Sequence, residues 1–237
     1  MKCWSWQKAL WMLLGMCWIS TSWGDCFSAQ TSQDFIHQMH LAQQTTQQNI
    51  LNQRQKILSL SQQTNWTQQE HAFLIKQLKD HHLPPTWPLN DQAFKQLLSH
   101  VDVVPAALLI AQAALESGYG RSRFAQQGCN PFGIWCYQPG CGLIPKNRPK
   151  HAIYEVKRFA SLADAIKNYY AIFNQQPAFK SFRLQREQLR KNPQPHPSLI
   201  LANTLSHYAT VNNYPERVIA ILKKPNVAQY DIFPPKD

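Results

Sequence analysis

Acidic residues are scarce in this chain. Thirteen Asp and Glu stand against 24 Lys and Arg in 237 residues, for a formal charge of +11 at neutral pH. That imbalance disfavours basic ligands and favours polyanionic partners: nucleic acid, anionic lipid, or a cell wall carrying acidic peptides and polymers. Glycine is sparse too, at eight residues, and none is arranged as a phosphate-binding loop, which argues against nucleotide chemistry. Internal repeats are missing, so solenoids and propellers are excluded. The longest apolar run near the start, Ala9–Ile19, falls well below the roughly 18 residues of a spanning helix. What is present is an ordinary apolar share, 44%, in a length that suits one sizeable domain with an appendage.

Lys2 and Lys8 precede that apolar run, and Ser22-Trp23-Gly24 supplies a small-x-small site. The pattern predicts a secretory signal peptide over residues 1–24 and an exported, periplasmic or cell-envelope protein. An uncleaved leader would instead anchor the chain to a membrane. Asp25 before Cys26 does not suit a lipidation site. Beyond the leader remain Cys26, Cys129, Cys136 and Cys141, a number that suits disulfides in an exported chain. Cys136 and Cys141 enclose the turn YQPG and form the favoured pair. Zinc is the competing reading, but no matching Cys or His pair completes a site, so no metal or other cofactor is expected. Export also argues against a nucleic-acid partner.

Residues 25–100 read as a Gln-rich helical extension. Phe35, Ile36, Met39, Ile50, Leu51, Ile57 and Leu58 recur at helical spacing, while the intervening QQTTQQ has no apolar face. One long or broken helix fits, and a low-complexity linker is the alternative. Thr67-x-x-Glu70 and Ser161-x-x-Asp164 are helix-start signatures, Asn90 or Asp91 can cap a helix to His100, and Pro177, Pro197 and Pro215 suit first turns. Arg121 to Pro149 reads as a loop, and His151–Ala160 as a short strand or hairpin arm.

The run VPAALLIAQAALESGYG, from Val104 to Gly120, predicts a helix that is apolar on nearly every side and therefore central. It ends on Glu116, the only acidic residue between Asp102 and Glu155. Desolvation and the negative end of the helix dipole would raise its pKa. A carboxyl kept protonated can deliver a proton to a leaving oxygen, the general-acid step of glycoside cleavage. A solvated glutamate paired with Arg121 or Arg123 is the alternative.

AQAALESGYGRSRFA, CNPFGIW, FASLADAIKNY and YATVNNYPERV resemble the glucosaminidase family of peptidoglycan hydrolases (glycoside hydrolase family 73), and among them the Bax-type exported proteins. The resemblance covers about Val101 to Leu222. It implies a mainly α, lysozyme-like α+β fold over 101–237 with a small β-hairpin lobe. It also implies cleavage of the β-1,4 bond after N-acetylglucosamine in peptidoglycan or a related glycan. Carried over by motif, Glu116 is the general acid, Tyr214 touches the reacting centre or the acetamido group, and Tyr119, Asn130, Phe132 and Tyr208 line the substrate cleft. Glu155 is the candidate second carboxylate, to be placed roughly 6.5–9.5 Å from Glu116 in an inverting enzyme, or else a strand residue paired with Lys157. If Glu155 points away, the substrate's acetamido group is the alternative base. The chain is expected to act as a monomer. A glycan-binding or scaffolding protein that kept the cleft and lost turnover is the other function the sequence allows.

Overall fold

A computed structural model describes residues 26–209 and 212–233. The leader assigned to residues 1–24 lies outside the described residues. The architecture is mainly α with one small antiparallel sheet, the class the sequence predicts. None of the described helices is long and apolar enough to cross a membrane.

Helix α1 (Ser32–Ser61) is continuous through the Gln-rich stretch. Thr31 caps it reciprocally with Asp34, a capping box that satisfies first-turn amides. At a rise of 1.5 Å per residue its 30 residues reach about 45 Å, enough to serve two cores. Its first half buries Phe35, Ile36 and Met39 in the main core, and its second half buries Ile57 and Leu60 against α2 (Gln68–Asp80) and α3 (Asp91–His100). Between them, Gln43 is buried and accepts the Tyr170 hydroxyl at 2.9 Å. That bond gives the polar stretch an inward anchor that apolar periodicity does not reveal. Thr67 and Glu70 form the expected capping box of α2, and Asn90 caps α3.

Helix α4 (Ala106–Ser117) runs through the middle, touching α1, α8 (Pro197–Ala202), α9 (Tyr214–Leu222) and α10 (Pro225–Ala228). Every residue from Ala106 to Ala114 is buried. Leu108, Leu109 and Ile110 are fully so, which stabilises the fold by about 1.5–3 kcal/mol each relative to exposure. Gly118, Tyr119 and Gly120 all take positive φ and stop the helix. At Gly120 a Cβ would fall 2.8 Å from the Phe35 ring, so glycine is what lets α1 approach this turn.

The region 121–149 is more regular than its turn-rich composition predicts. Ser122 caps the six-residue helix α5 (Arg123–Gly128), and strands β1 (Trp135–Cys136) and β2 (Gly142–Leu143) flank β3 (Glu155–Lys157) in the order β1-β3-β2. Two-residue strands are too short to carry a period. Gly142 is obligatory, since a Cβ there would lie 2.0 Å from the Val156 carbonyl oxygen. Helices α6 (Leu162–Gln175, capped by Ser161) and α7 (Lys180–Lys191) complete the frame, with Pro177, Pro197 and Pro215 in first turns as expected.

Two disulfides lie among the described residues. Cys136–Cys141 closes the YQPG turn, as the sequence favours, and Cys26 joins Cys129 across 103 positions. The second bond fastens the start of the described chain to the end of α5. Replacing Cys26 and Cys129 together by serine is expected to lower the unfolding free energy by about 2–4 kcal/mol, measured by urea denaturation.

Asp102, just before α4, is the electrostatic anchor of the fold. Arg190 of α7 grips its carboxylate through Nε and Nη2, while Arg186 lies at 3.6 Å and Arg54 of α1 at 3.5 Å. Burial alone would raise this carboxyl's pKa, but the guanidiniums Arg186, Arg190 and Arg54 outweigh it and hold the pKa below the usual range. A cavity of about 450 Å³ opens beside this cluster and contains none of the candidate catalytic residues.

Candidate active site

Glu116 projects from the last turn of α4 into a separate cleft of about 440 Å³. The apolar helix places it there: nine buried positions fix the axis, and the left-handed turn at Gly118 frees the end. The cleft is lined by Phe132, Gly133, Trp135, Phe179, His207 and Tyr208. Its carboxyl is raised above the ordinary glutamate range by desolvation; a hydrogen bond from Tyr214 and the charge of Arg217 act in the opposite sense. The side chain is open to the cleft, so the surrounding protein, not full burial, supplies the effect. Arg123, one of the two partners the sequence offers a solvated Glu116, instead donates to the Ile144 carbonyl at 2.7 Å.

A buried relay stands behind this carboxyl. The Tyr169 hydroxyl donates to Gln112 Oε1 at 2.6 Å, and Gln112 Nε2 donates to the Tyr214 oxygen at 3.1 Å. With its oxygen occupied by that donor, Tyr214 has its proton available for Glu116, to which it hydrogen-bonds. Tyr214 is buried and stacks on Tyr208 at 5.3 Å, and burial keeps both phenols well above their usual pKa. Neither phenol therefore ionises near neutrality. Because the relay runs one way, the carboxyl oxygen that Tyr214 meets must act as acceptor. When Glu116 binds a proton, that proton is thus left to the other oxygen.

Among the residues chosen from sequence, Glu116, Phe132 and Tyr208 line the cleft, with Tyr214 directly behind. Phe132 is buried and stacked 4.4 Å from Tyr169, so it forms floor more than contact surface. Asn130 does not face the cleft. It is buried, its Nδ2 donates to the Ile134 and Lys157 carbonyls at 2.8 Å each, and its Oδ1 accepts the Ile134 amide. It shapes the turn and pins it to β3. Tyr119 is also elsewhere: its positive φ turns it towards α1, where it meets Phe35 edge-on and receives Lys224 Nζ at 2.9 Å.

Glu155 is not among the cleft-lining residues. Its two carboxylate oxygens accept the amides of Gly140 and Gly142 at 3.0 and 2.7 Å, and those amides lower its pKa. In the described geometry it ties β3 to the disulfide-closed turn. Its carboxylate also lies near the sulfurs of Cys136 and Cys141, but both are consumed in their disulfide, so this trio is no metal ligand set.

Sequence reasoning did not single out Gln112, Trp135, Tyr137 or His207 as site residues. Gln112 did leave a signal, as the lone amide inside VPAALLIAQAAL. Trp135 and Tyr137, 51% and 62% exposed, stand at the cleft rim, where aromatic faces suit sugar rings.

Tyr214→Phe tests the relay. The lost bond is one that favours ionised Glu116, so the carboxyl pKa should rise further and the alkaline limb of a pH–rate profile should move to higher pH. The phenylalanine also leaves the Gln112 amide unpaired, and a turnover loss of roughly tenfold is expected.

The chain matches the glucosaminidase family, described as mannosyl-glycoprotein endo-beta-N-acetylglucosaminidase, over residues 91–227, more than half its length. It is 30% identical over 169 residues to Protein bax of Escherichia coli (strain K12), spanning 70% of this chain and 60% of that protein. Less than two thirds of that relative is therefore represented. The catalytic domain of the autolysin Auto from Listeria monocytogenes is similar at a TM-score of 0.40 and 21% identity, over 75% of this chain and 86% of that one.

Proposed function

Because the chain belongs to the glucosaminidase family of glycoside hydrolases, we propose that it is an exported enzyme cleaving the β-1,4 bond after N-acetylglucosamine in peptidoglycan. Glu116 is its general acid. The observation that carries this reading is the one carboxyl among the described residues lining the cleft, partly desolvated and backed by the Tyr169–Gln112–Tyr214 relay. The relay supports a proton held on the carboxyl oxygen that Tyr214 does not meet, available to a glycosidic oxygen in the cleft. Two disulfides agree with an oxidising compartment.

With Glu155 held by Gly140 and Gly142, activation of the attack falls to the substrate's own acetamido group, a route some glycosidases take. A general base would be worth about 10²–10⁴-fold. Glu155→Gln should therefore cost less than about tenfold in turnover while lowering the melting temperature through the lost turn anchor. Abolished turnover with an unchanged melting temperature would assign water activation to Glu155.

Digestion of purified cell-wall sacculi tests the reading as a whole. New reducing ends should be N-acetylglucosamine. Muramic acid ends would reassign the cleaved bond, and binding without new ends would favour a glycan-binding scaffold.

A further inference from the structure

Trp135 lines two neighbouring cavities. One is the Glu116 cleft. The other, a cavity of about 520 Å³, runs over α6, and the two share Ile134, Trp135, Ile172 and Gln176 as a common wall. The new part is contributed by Asn168, Ala171 and Gln175 of α6 and by His82 from the α2–α3 connection. We propose that this second cavity is a distal saccharide subsite, binding the uncharged backbone of a β-1,4-linked N-acetylated amino-sugar strand beyond the bond being cut. The inference rests on the proposed glycosidase reading and extends it to how the strand is held.

Three observations point to a neutral sugar. The chain carries +11, yet no Lys, Arg, Asp or Glu lines this cavity. Carboxamides and an imidazole line it instead, groups that match hydroxyls and acetamides better than the carboxylates of stem peptides. Tyr154 stacks behind Trp135 at 4.2 Å, nearly parallel at 7°, so the half-exposed indole is held in one plane, as a sugar-stacking face requires.

His82 supplies the third. Its amide donates to the Lys79 carbonyl and the Leu83 amide to the Leu78 carbonyl, closing α2 in the six-to-one pattern in which glycine is favoured at the position His82 occupies. Its φ is +56°, a conformation a side chain adopts at a cost. A left-handed backbone at a residue whose side chain lines a groove is where functional demand outweighs local preference. Gln175 Nε2 donates to the Asp80 carbonyl at 3.0 Å, fastening this connection to α6. The helical extension thus builds the far end of the groove.

The test uses the full chain carrying Glu116→Gln, titrated calorimetrically with peptide-free N-acetylglucosamine oligomers of increasing length. Affinity should rise on the order of tenfold once the oligomer outgrows the first cleft, the gain expected of one or two hydrogen bonds plus stacking. His82→Gly relieves the strained backbone and should not lower the melting temperature, yet it should erase much of the long-chain gain. Ala171→Arg, which fills the groove, should erase the rest. Both should leave short oligomers unaffected. Affinity that is flat with length, or variants that weaken short and long oligomers alike, would overturn the subsite while leaving the cleft assignment standing. No binding at any length would overturn both.

Discussion

Glu116→Gln is expected to reduce release of soluble fragments from cell wall by about 10³-fold or more, within the range a positioned general acid supplies and equal to about 4 kcal/mol of barrier. The substitution keeps the side chain's shape and its bond from Tyr214 but offers only an amide proton to the leaving oxygen. Stability should not explain the loss. A carboxyl whose pKa is raised on folding contributes most below its unfolded pKa and loses that contribution as pH rises through the folded value. At neutral pH the glutamine variant should therefore melt no lower than the parent chain. Its activity, unlike the parent's, should show no limb assignable to this carboxyl.

Asp102→Ala is expected to lower the unfolding free energy by about 3–5 kcal/mol, the cost of leaving a buried charge without its counterpart. Arg186, already pushed down to about 10 by burial, would lose its carboxylate neighbour, and the Arg190 fork would lose two bonds. The same residue sets an acid limit on the parent chain. Its folded pKa is depressed, so its contribution is present above the unfolded carboxylate pKa and is lost as pH falls through the folded value. Urea titrations of the parent chain at descending pH should show this decline, and the alanine variant should not share that part of it. Because Asp102 joins α1 and α7 at the entry to α4, the variant tests whether the helical extension and α4 are held as one structure.

The features legible in the sequence were those set by local chemistry. Helix α4 followed from unbroken apolar character, the starts of α2, α3 and α6 from their capping residues, and the raised pKa of Glu116 from a lone carboxylate at an apolar helix's end. Direction was harder to read than position. Asn130 and Tyr119 sit in the expected motifs, but three backbone bonds turn one inward and a positive φ turns the other onto α1. A motif fixes spacing along the chain, whereas these orientations depend on partners elsewhere. Asp102 shows the same limit, since Arg190 lies 88 positions away. The Gln112 relay needed Tyr169 and Tyr214 from two other helices before a solitary amide acquired a meaning. The continuous course of α1 likewise waited on Tyr170, which reaches Gln43 across 127 positions.

The claim that Glu116 is held neutral in the cleft as the proton donor is tested most directly by following its carboxyl carbon through a pH titration with NMR, alongside the pH–rate profile of the same preparation. The titration should fall above the ordinary glutamate range of about 4.3 and coincide with the alkaline limb of activity. A carboxyl that titrates at the ordinary value, or a limb that persists unchanged in Glu116→Gln, would contradict the assignment.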